Sequence, residues 1–238
     1  MMKVNDIREY FINELQAENY TVDRTGQKTI ELIGASFTAD EETIFGTVNE
    51  EYVEAEINWY KSGSTNINDI YKWPNYPHDK APPIAWQYSA NDHGEINSNY
   101  GHLIYSDKYY GQYHMALDEL LRNMDSRRAT MVYNRPAIWT EYDEHGKNDF
   151  ICTNAVTYYL RNGAINAVVQ MRSNDVVFGY KNDYAWQLHV LNEFVEDYNA
   201  CYLDKAWDSD YRKEMEVGTI TWQVQNLHVY ERHFNLVK

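Results

Sequence analysis

Apolar residues recur along this chain with two periods, a helical one of about 3.6 and an extended one of two. Val4, Ile7, Phe11 and Leu15 fall on one helical face and predict an amphipathic helix over Asp6–Asn19, for which ordinary core packing is explanation enough. Tyr52, Val53, Glu56, Trp59 and Tyr60 form a second stripe over Glu50–Lys61. A third, with Tyr113, Leu117, Leu120 and Leu121, runs through Asp107–Asn123, and a fourth helical pattern covers Tyr184–Asn199. Strand-like runs lie at Thr29–Phe37, Ala129–Tyr133, Ile151–Arg161, Ala164–Ser173 and Val217–Val224. Lys72–Pro83 holds four of the five prolines and reads as an irregular loop. Glu141–Asn148 reads as a charged, solvated hairpin loop and Asp204–Glu216 as a polar surface excursion.

Asn162-Gly163 sits between two of the strand-like runs and is a hairpin signal, because a two-residue turn needs positive φ at both positions. Such a turn sets Cys152 opposite Ser173 with Arg172 adjacent, and a β-bulge would move that register by one. A thiol, a guanidinium and a hydroxyl are thereby expected on neighbouring strands. Arg172 follows the apolar run Ala167-Val168-Val169. An edge-strand Arg reaching solvent is the plain account. The alternative is an oxyanion site, since a guanidinium binds phosphate or carboxylate through paired hydrogen bonds. A cation there would also lower the pKa of Cys152 and favour the thiolate. Asp175, Gly179, Asn182 and Asp183 crowd a turn ahead of the Tyr184 helix. Glu56 falls on a mostly apolar stripe, where a carboxylate is costly unless paired and burial raises its pKa.

Composition narrows the class. The 238 residues, 44% of them hydrophobic, suffice for a real core in one large or two small domains. No apolar run is long enough to span a membrane, and the start, Met1-Met2-Lys3-Val4-Asn5-Asp6, lacks the apolar core of a signal peptide. Two cysteines, Cys152 and Cys201, make no disulfide framework, so a cytoplasmic setting is expected (the host cytoplasm for a phage-encoded chain). The net charge of −15 argues against a nucleic-acid polymer as partner. A phosphate must then be held by a local cluster of arginines. Two histidines, His228 and His233, stand near the end without a third ligand at a convincing spacing, so no metal is expected.

The string MRSNDVVFGYKNDYAW, with Arg172 twenty residues after Cys152, resembles the nucleotide-binding core of the thymidylate synthases. In full it more closely resembles the bacteriophage deoxycytidylate hydroxymethylase branch of that superfamily. Further motifs follow in the family's order. Asp23-Arg24-Thr25-Gly26 matches a mobile loop whose Arg closes on phosphate. Glu56-Ile57-Asn58-Trp59-Tyr60, then Gly63-Ser64-Thr65-Asn66, resembles the element whose Glu organises water and proton transfer. Trp86 and Tyr100-Gly101 match residues lining the folate and reaction cavity. Asp125-Ser126-Arg127-Arg128 matches a string whose arginines cross a dimer interface to the neighbour's phosphate, and His228-Val229-Tyr230 a pair that binds the sugar hydroxyl. The resemblance runs from Asp23 to His233 and implies an α+β thymidylate synthase-like fold, a large mixed β-sheet covered by helices, in one catalytic domain over residues 1–238. Two features depart from it: Thr153 follows the cysteine where thymidylate synthases usually have His, and the chain ends at Lys238, so the family's C-terminal tail is expected to be absent or shortened.

The chemistry so implied begins with Cys152 adding to C6 of a pyrimidine, which makes C5 nucleophilic. The one-carbon donor implied is 5,10-methylenetetrahydrofolate, with water addition giving a hydroxymethyl product and hydride a methyl one. Glu56 and Tyr100 are the candidates for proton transfer and Trp86, Asp175 and Gly179 for the folate side. Arg24, Arg127, Arg128, Arg172, Ser173, Asn182, His228 and Tyr230 are those for the nucleotide. Family members acting on uracil place Asn at the position of Asp183. A carboxylate there accepts from cytosine N4 and shares a proton with N3, so dCMP is the expected substrate; a helix cap is the plainer role for Asp183. Cys201 reads as structural. Two alternatives remain: a dCMP or dUMP C5-methyltransferase, and a weakly catalytic nucleotide-binding subunit working with other deoxynucleotide-synthesis enzymes.

Overall fold

The computed structural model describes residues 1–22, 26–72, 80–204 and 214–238. Arg24, most of Lys72–Pro83 and most of the Asp204–Glu216 excursion therefore lie outside the described residues. The strands are β1 (Met2–Lys3), β2 (Thr21–Val22), β3 (Lys28–Thr38), β4 (Thr130–Val132), β5 (Thr153–Arg161), β6 (Ala164–Asp175) and β7 (Glu216–Tyr230). The helices are α1 (Val4–Gln16), α2 (Glu50–Ser62), α3 (Ile84–Ser89), α4 (Tyr100–Tyr105), α5 (Gln112–Arg122), α6 (Ile138–Glu141) and α7 (Gly179–Asp204). The strands form one sheet in the order β1-β3-β7-β6-β5-β4, with β2 on β3. β1 with β3 and β6 with β7 run parallel and the other pairs antiparallel, which makes the sheet mixed.

Alternation along the strands divides the two faces. Ile165, Ala167, Val169 and Met171 of β6 and Ile220, Trp222 and Val224 of β7 are buried. Against them pack Trp186, Val190, Leu191 and Phe194 of α7, itself buried along much of its length. Tyr158 of β5 stacks on Phe194 with ring centroids 4.6 Å apart, the kind of offset aromatic contact that fixes a helix on a sheet. On the other face Ser36 and Gln225 are exposed, and Gln170 Nε2 donates to Gln223 Oε1 at 3.1 Å across the sheet.

The hairpin turn forms as its sequence requires, with Asn162 at φ 56° and Gly163 at φ 79°. Pairing runs in the two-residue-turn register from Arg161↔Ala164 to Ala155↔Gln170, then slips by one at a bulge to Thr153↔Met171. Cys152 is consequently opposite Arg172, not Ser173: Arg172 N donates to Cys152 O at 2.9 Å.

Four further departures have local causes. The Asp107–Asn123 pattern is interrupted where Tyr110 and Gly111 take positive φ, leaving a short 3-10 turn before α5. The charged Glu141–Asn148 segment is no hairpin but the end of α6 followed by a 3-10 turn. It is not all solvated either, since Glu141 is ion-paired with Arg135 and Lys147 Nζ donates to Asn97 Oδ1 at 2.8 Å. β7 continues past Val224 through the His228-Val229-Tyr230 motif. Helix α7 starts at Gly179, earlier than the Tyr184 pattern, directly after a turn in which Asp175 Oδ1 accepts from the N–H groups of Val177 at 2.9 Å and Phe178 at 2.6 Å. Asn182 and Asp183 thus lie inside the helix and neither caps it.

Candidate active site

The site is assembled where the C-terminal end of β6, the segment before β5 and the helices α2, α4 and α7 meet. Cys152 is half-buried just before β5, and Arg172 reaches it from β6 with Nη2 3.4 Å from Sγ. The guanidinium is held in place by the Ile151 carbonyl, to which Nε donates at 2.9 Å, and the Phe150 carbonyl, which accepts from Nη2 at 2.5 Å. Its plane lies over the Phe150 ring at 4.9 Å. The cation pulls the thiol pKa down as the sequence suggested, but desolvation outweighs it and pushes Cys152 up to about 11 in the ligand-free protein. The expected thiolate is therefore not the resting state.

Glu56 is buried on α2. Its Oε1 accepts from the Tyr52 hydroxyl and from Trp86 Nε1 at 3.2 Å, and Trp86 Nε1 is also 2.9 Å from the Tyr52 oxygen. Burial raises its pKa to about 7, with the two donors pulling the other way. Asp183 projects from α7 toward the same recess. Its surface is only partly covered, yet surrounding protein desolvates it and, with Glu56 adding like charge, lifts its pKa to about 8. Asn174 Nδ2 donates to Asp183 Oδ2 at 2.7 Å and pulls the other way. Tyr100, buried at the start of α4, is close enough to Asp183 and Cys152 for their charges to raise its phenol pKa beyond the effect of burial. It stacks on Tyr60 at 5.3 Å, and edge-on against Tyr133 at 5.2 Å.

Two supports were not legible as site residues. Asp149 is buried and accepts from the N–H groups of Asn97 at 2.6 Å and Ser98 at 2.7 Å and from Ser98 Oγ at 2.6 Å. It fastens the segment leading to Cys152 onto the turn leading to Tyr100, and the polar run around it concealed that role. Asn174 looked like one more polar residue of the β6 end; its only signal was an amide within a stretch already dense in functional types.

The remaining candidates divide. Ser173 lies on β6 opposite Asn226, and His228 on β7 is paired with Asp175. His228 is buried, its pKa lowered by desolvation, and packs edge-on against Tyr230 at 4.9 Å. Asn182 is half-buried in α7. At Gly179 a Cβ would come 3.0 Å from Asn174 Nδ2, so the glycine makes room for the amide. Trp86, matched to the folate side, is anchored to Glu56 and edge-packed on Trp59 at 5.2 Å. Arg127 and Arg128 are exposed, away from this chain's own cysteine, and Arg128 Nη2 is 2.9 Å from Glu119.

A thiol beside a guanidinium and two carboxyls that titrate near neutrality form a site for covalent chemistry with proton transfer on an anionic substrate. Residues 9–238 match the thymidylate synthase family model, and the chain belongs to that family. Within it, the chain is 49% identical over 236 residues to the deoxycytidylate 5-hydroxymethyltransferase of Enterobacteria phage T4, covering 99% of this chain and 89% of that protein. It is 25% identical over 226 residues to a thymidylate synthase of Corynebacterium aurimucosum, covering 91% and 74% respectively. The crystal structure of phage T4 thymidylate synthase shares the fold, with a TM-score of 0.73 and 20% identity over 99% of this chain and 78% of that one.

Proposed function

We infer that this protein is a deoxycytidylate 5-hydroxymethyltransferase, which converts dCMP to 5-hydroxymethyl-dCMP. The observation that carries the reading is Asp183, a carboxyl with a pKa of about 8, facing the recess that holds Cys152. A protonated carboxyl donates to cytosine N3 through its O–H and accepts from the N4 amine through its other oxygen. Uracil, with N3–H and O4, presents the opposite pattern. The 49% identity to the phage T4 enzyme supports the same conclusion.

Cys152 gives up its thiol proton to solvent as the nucleotide enters, and Sγ adds to C6; as the S–C6 bond forms, the C5–C6 π pair moves to C5 and makes it the nucleophile. Arg172 accommodates negative charge at sulfur and, with Ser173, Arg24 and the partner's arginines, the phosphate. Binding that excludes water strengthens the Arg172–thiolate attraction, which offsets the desolvation of the sulfur. When bound, 5,10-methylenetetrahydrofolate supplies the one-carbon unit. The residues fit such a molecule: Asp175 Oδ2 is a buried acceptor with no hydrogen-bond donor among the described residues, His233 Nδ1 lying 3.9 Å away, and is suited to a ring N–H, and Ile84 and Tyr88 of α3 are exposed near Trp86. Glu56, with a pKa of about 7, both accepts and returns a proton at neutral pH and holds the water that becomes the hydroxyl. The exposure of Arg127 and Arg128, and of Ser36 and Gln225 on the sheet face away from α7, supports a homodimer in which these arginines serve the neighbouring site. The setting is the cytoplasm; among the described residues no helix is long and apolar enough to cross a membrane.

Incubation with methylenetetrahydrofolate and either dCMP or dUMP, followed by mass identification of the pyrimidine, tests the reading. Hydroxymethyl-dCMP is expected from wild type and from Cys201→Ala, and none from Cys152→Ala. A methylated pyrimidine, or turnover by Cys152→Ala, overturns it.

A further inference from the structure

The amide of Asn174 is 4% exposed and bridges two groups of fixed character. On one side the indole of Trp222, fully buried in β7, lies with Nε1 3.3 Å from Asn174 Oδ1. An indole N–H can only donate, so the amide oxygen must face it and the NH2 must face the other way. On that other side Nδ2 donates to Asp183 Oδ2 at 2.7 Å. Gly179 leaves the room this requires, because a Cβ there would crowd Nδ2 at 3.0 Å. The orientation is therefore set by the sheet and not by the carboxyl it serves.

We propose that Asn174 is the positioning residue that decides which oxygen of Asp183 carries the proton: it holds Oδ2 as the acceptor and leaves Oδ1 as the acid. An N–H bonds better to a carbonyl or carboxylate oxygen than to the hydroxyl oxygen of a carboxylic acid. The proton accordingly resides on Oδ1, and the two oxygens are no longer equivalent. Cytosine needs that inequality, with an O–H aimed at N3 beside an acceptor aimed at N4. A carboxyl free to carry its proton on either oxygen presents the right pair only part of the time. The chain Trp222–Asn174–Asp183 thus carries base selectivity from the sheet core to the substrate. It rests on the reading of Asp183 as the cytosine-recognising residue.

Two readouts separate the failure of this inference from the failure of that reading. The first needs no substrate: the ionisation of Asp183 is followed by carboxyl carbon NMR in the ligand-free protein. The groups facing it are Glu56 and Tyr60 of α2, Tyr100 of α4, Tyr133 after β4 and Cys152; Glu56 also titrates near neutrality, at about 7, while burial raises the tyrosines and the thiol above their ordinary values. Removing a donor to the carboxylate in Asn174→Ala should move the Asp183 titration to higher pH and leave that of Glu56 in place. The second is kcat/KM for dCMP and dUMP against pH. The alkaline fall in dCMP turnover should move up with the Asp183 titration, and the preference for dCMP should drop by about three- to tenfold. Trp222→Phe, which frees the amide to turn, should change both readouts in the same direction by less, and carries the test if Asn174→Ala does not fold. An unmoved titration, or equal losses on both nucleotides with the pH profile in place, would mean that Asn174 only supports the fold. If Asp183→Asn itself leaves the preference unchanged while the titration moves, the reading of Asp183 fails and the proton assignment stands.

Discussion

Glu56 and Asp183 are two carboxyls that the fold keeps from ionising easily, and their consequences reach beyond the reaction. In the ligand-free protein Glu56 titrates at about 7 instead of 4.5, and Asp183 at about 8 instead of 3.8. Between about pH 4 and 8 the folded state therefore holds protons that the unfolded chain has already lost. Stability from these two groups is fully present below their unfolded pKa values and is lost as pH rises through the folded ones. Histidines lowered by burial, such as His228, act the other way up to their ordinary value of 6.5. The difference between wild type and Asp183→Asn is thus the informative quantity. Denaturant unfolding at about pH 5 and about pH 8 should show a smaller loss of stability with pH in the variant, by an amount on the order of a few kcal/mol. Equal losses would mean that Asp183 is not held protonated. At this scale the sequence revealed types well and environments poorly. Glu56 on an apolar stripe announced a raised pKa. Cys152 beside Arg172 suggested a lowered one, because a pattern displays the neighbouring charge but not the depth of the recess.

Elements place these groups, and here a few local signals mattered most. The positive-φ pair Asn162-Gly163 fixed the hairpin, and with it the meeting of Cys152 and Arg172. The bulge between Thr153 and Ala155, with no residue signature of its own, changed the partner from Ser173 to Arg172. Asp175 is matched to a ligand role, yet it also holds the turn that leads into α7, the helix on which Asp183 lies. The junction of α2 and α4 was invisible in the pattern. Asn99 Nδ2 donates to Trp59 O at 3.1 Å and Ser64 O at 2.7 Å, and Gly101 lets the helices touch, since a Cβ there would lie 1.8 Å from Tyr60 O. Gly101→Ala should accordingly push α4 from α2. Thermal unfolding should then be lowered by the equivalent of about 2 kcal/mol or more, with Tyr100 displaced and turnover reduced. An alanine variant of wild-type stability and activity would show that the helices separate at little cost.

At the scale of the whole molecule, the mixed sheet and its helical cover agree with the family resemblance carried by motifs from one end of the chain to the other. What the motifs could not display is whether and how two copies meet. If Arg127 and Arg128 serve the neighbouring site, mixing an inactive Cys152→Ala chain with an inactive Arg127→Ala chain should restore part of the activity. One site of each heterodimer then has both an intact cysteine and an intact partner arginine. Absence of rescue after confirmed subunit exchange would assign the arginines to their own chain. On the proposed reading, substrate choice turns on one atom pair at Asp183. Replacement by Asn exchanges an acid for an amide that can turn to suit uracil, with little change of shape, and removes the titrating proton that the acid shares with cytosine N3. A polar mismatch of this kind costs about 1–3 kcal/mol, and about 1.4 kcal/mol is tenfold. The decisive measurement is the ratio of kcat/KM for dCMP to that for dUMP, in wild type and in folded Asp183→Asn. The account predicts that the ratio falls by about tenfold or more; an unchanged ratio would contradict it.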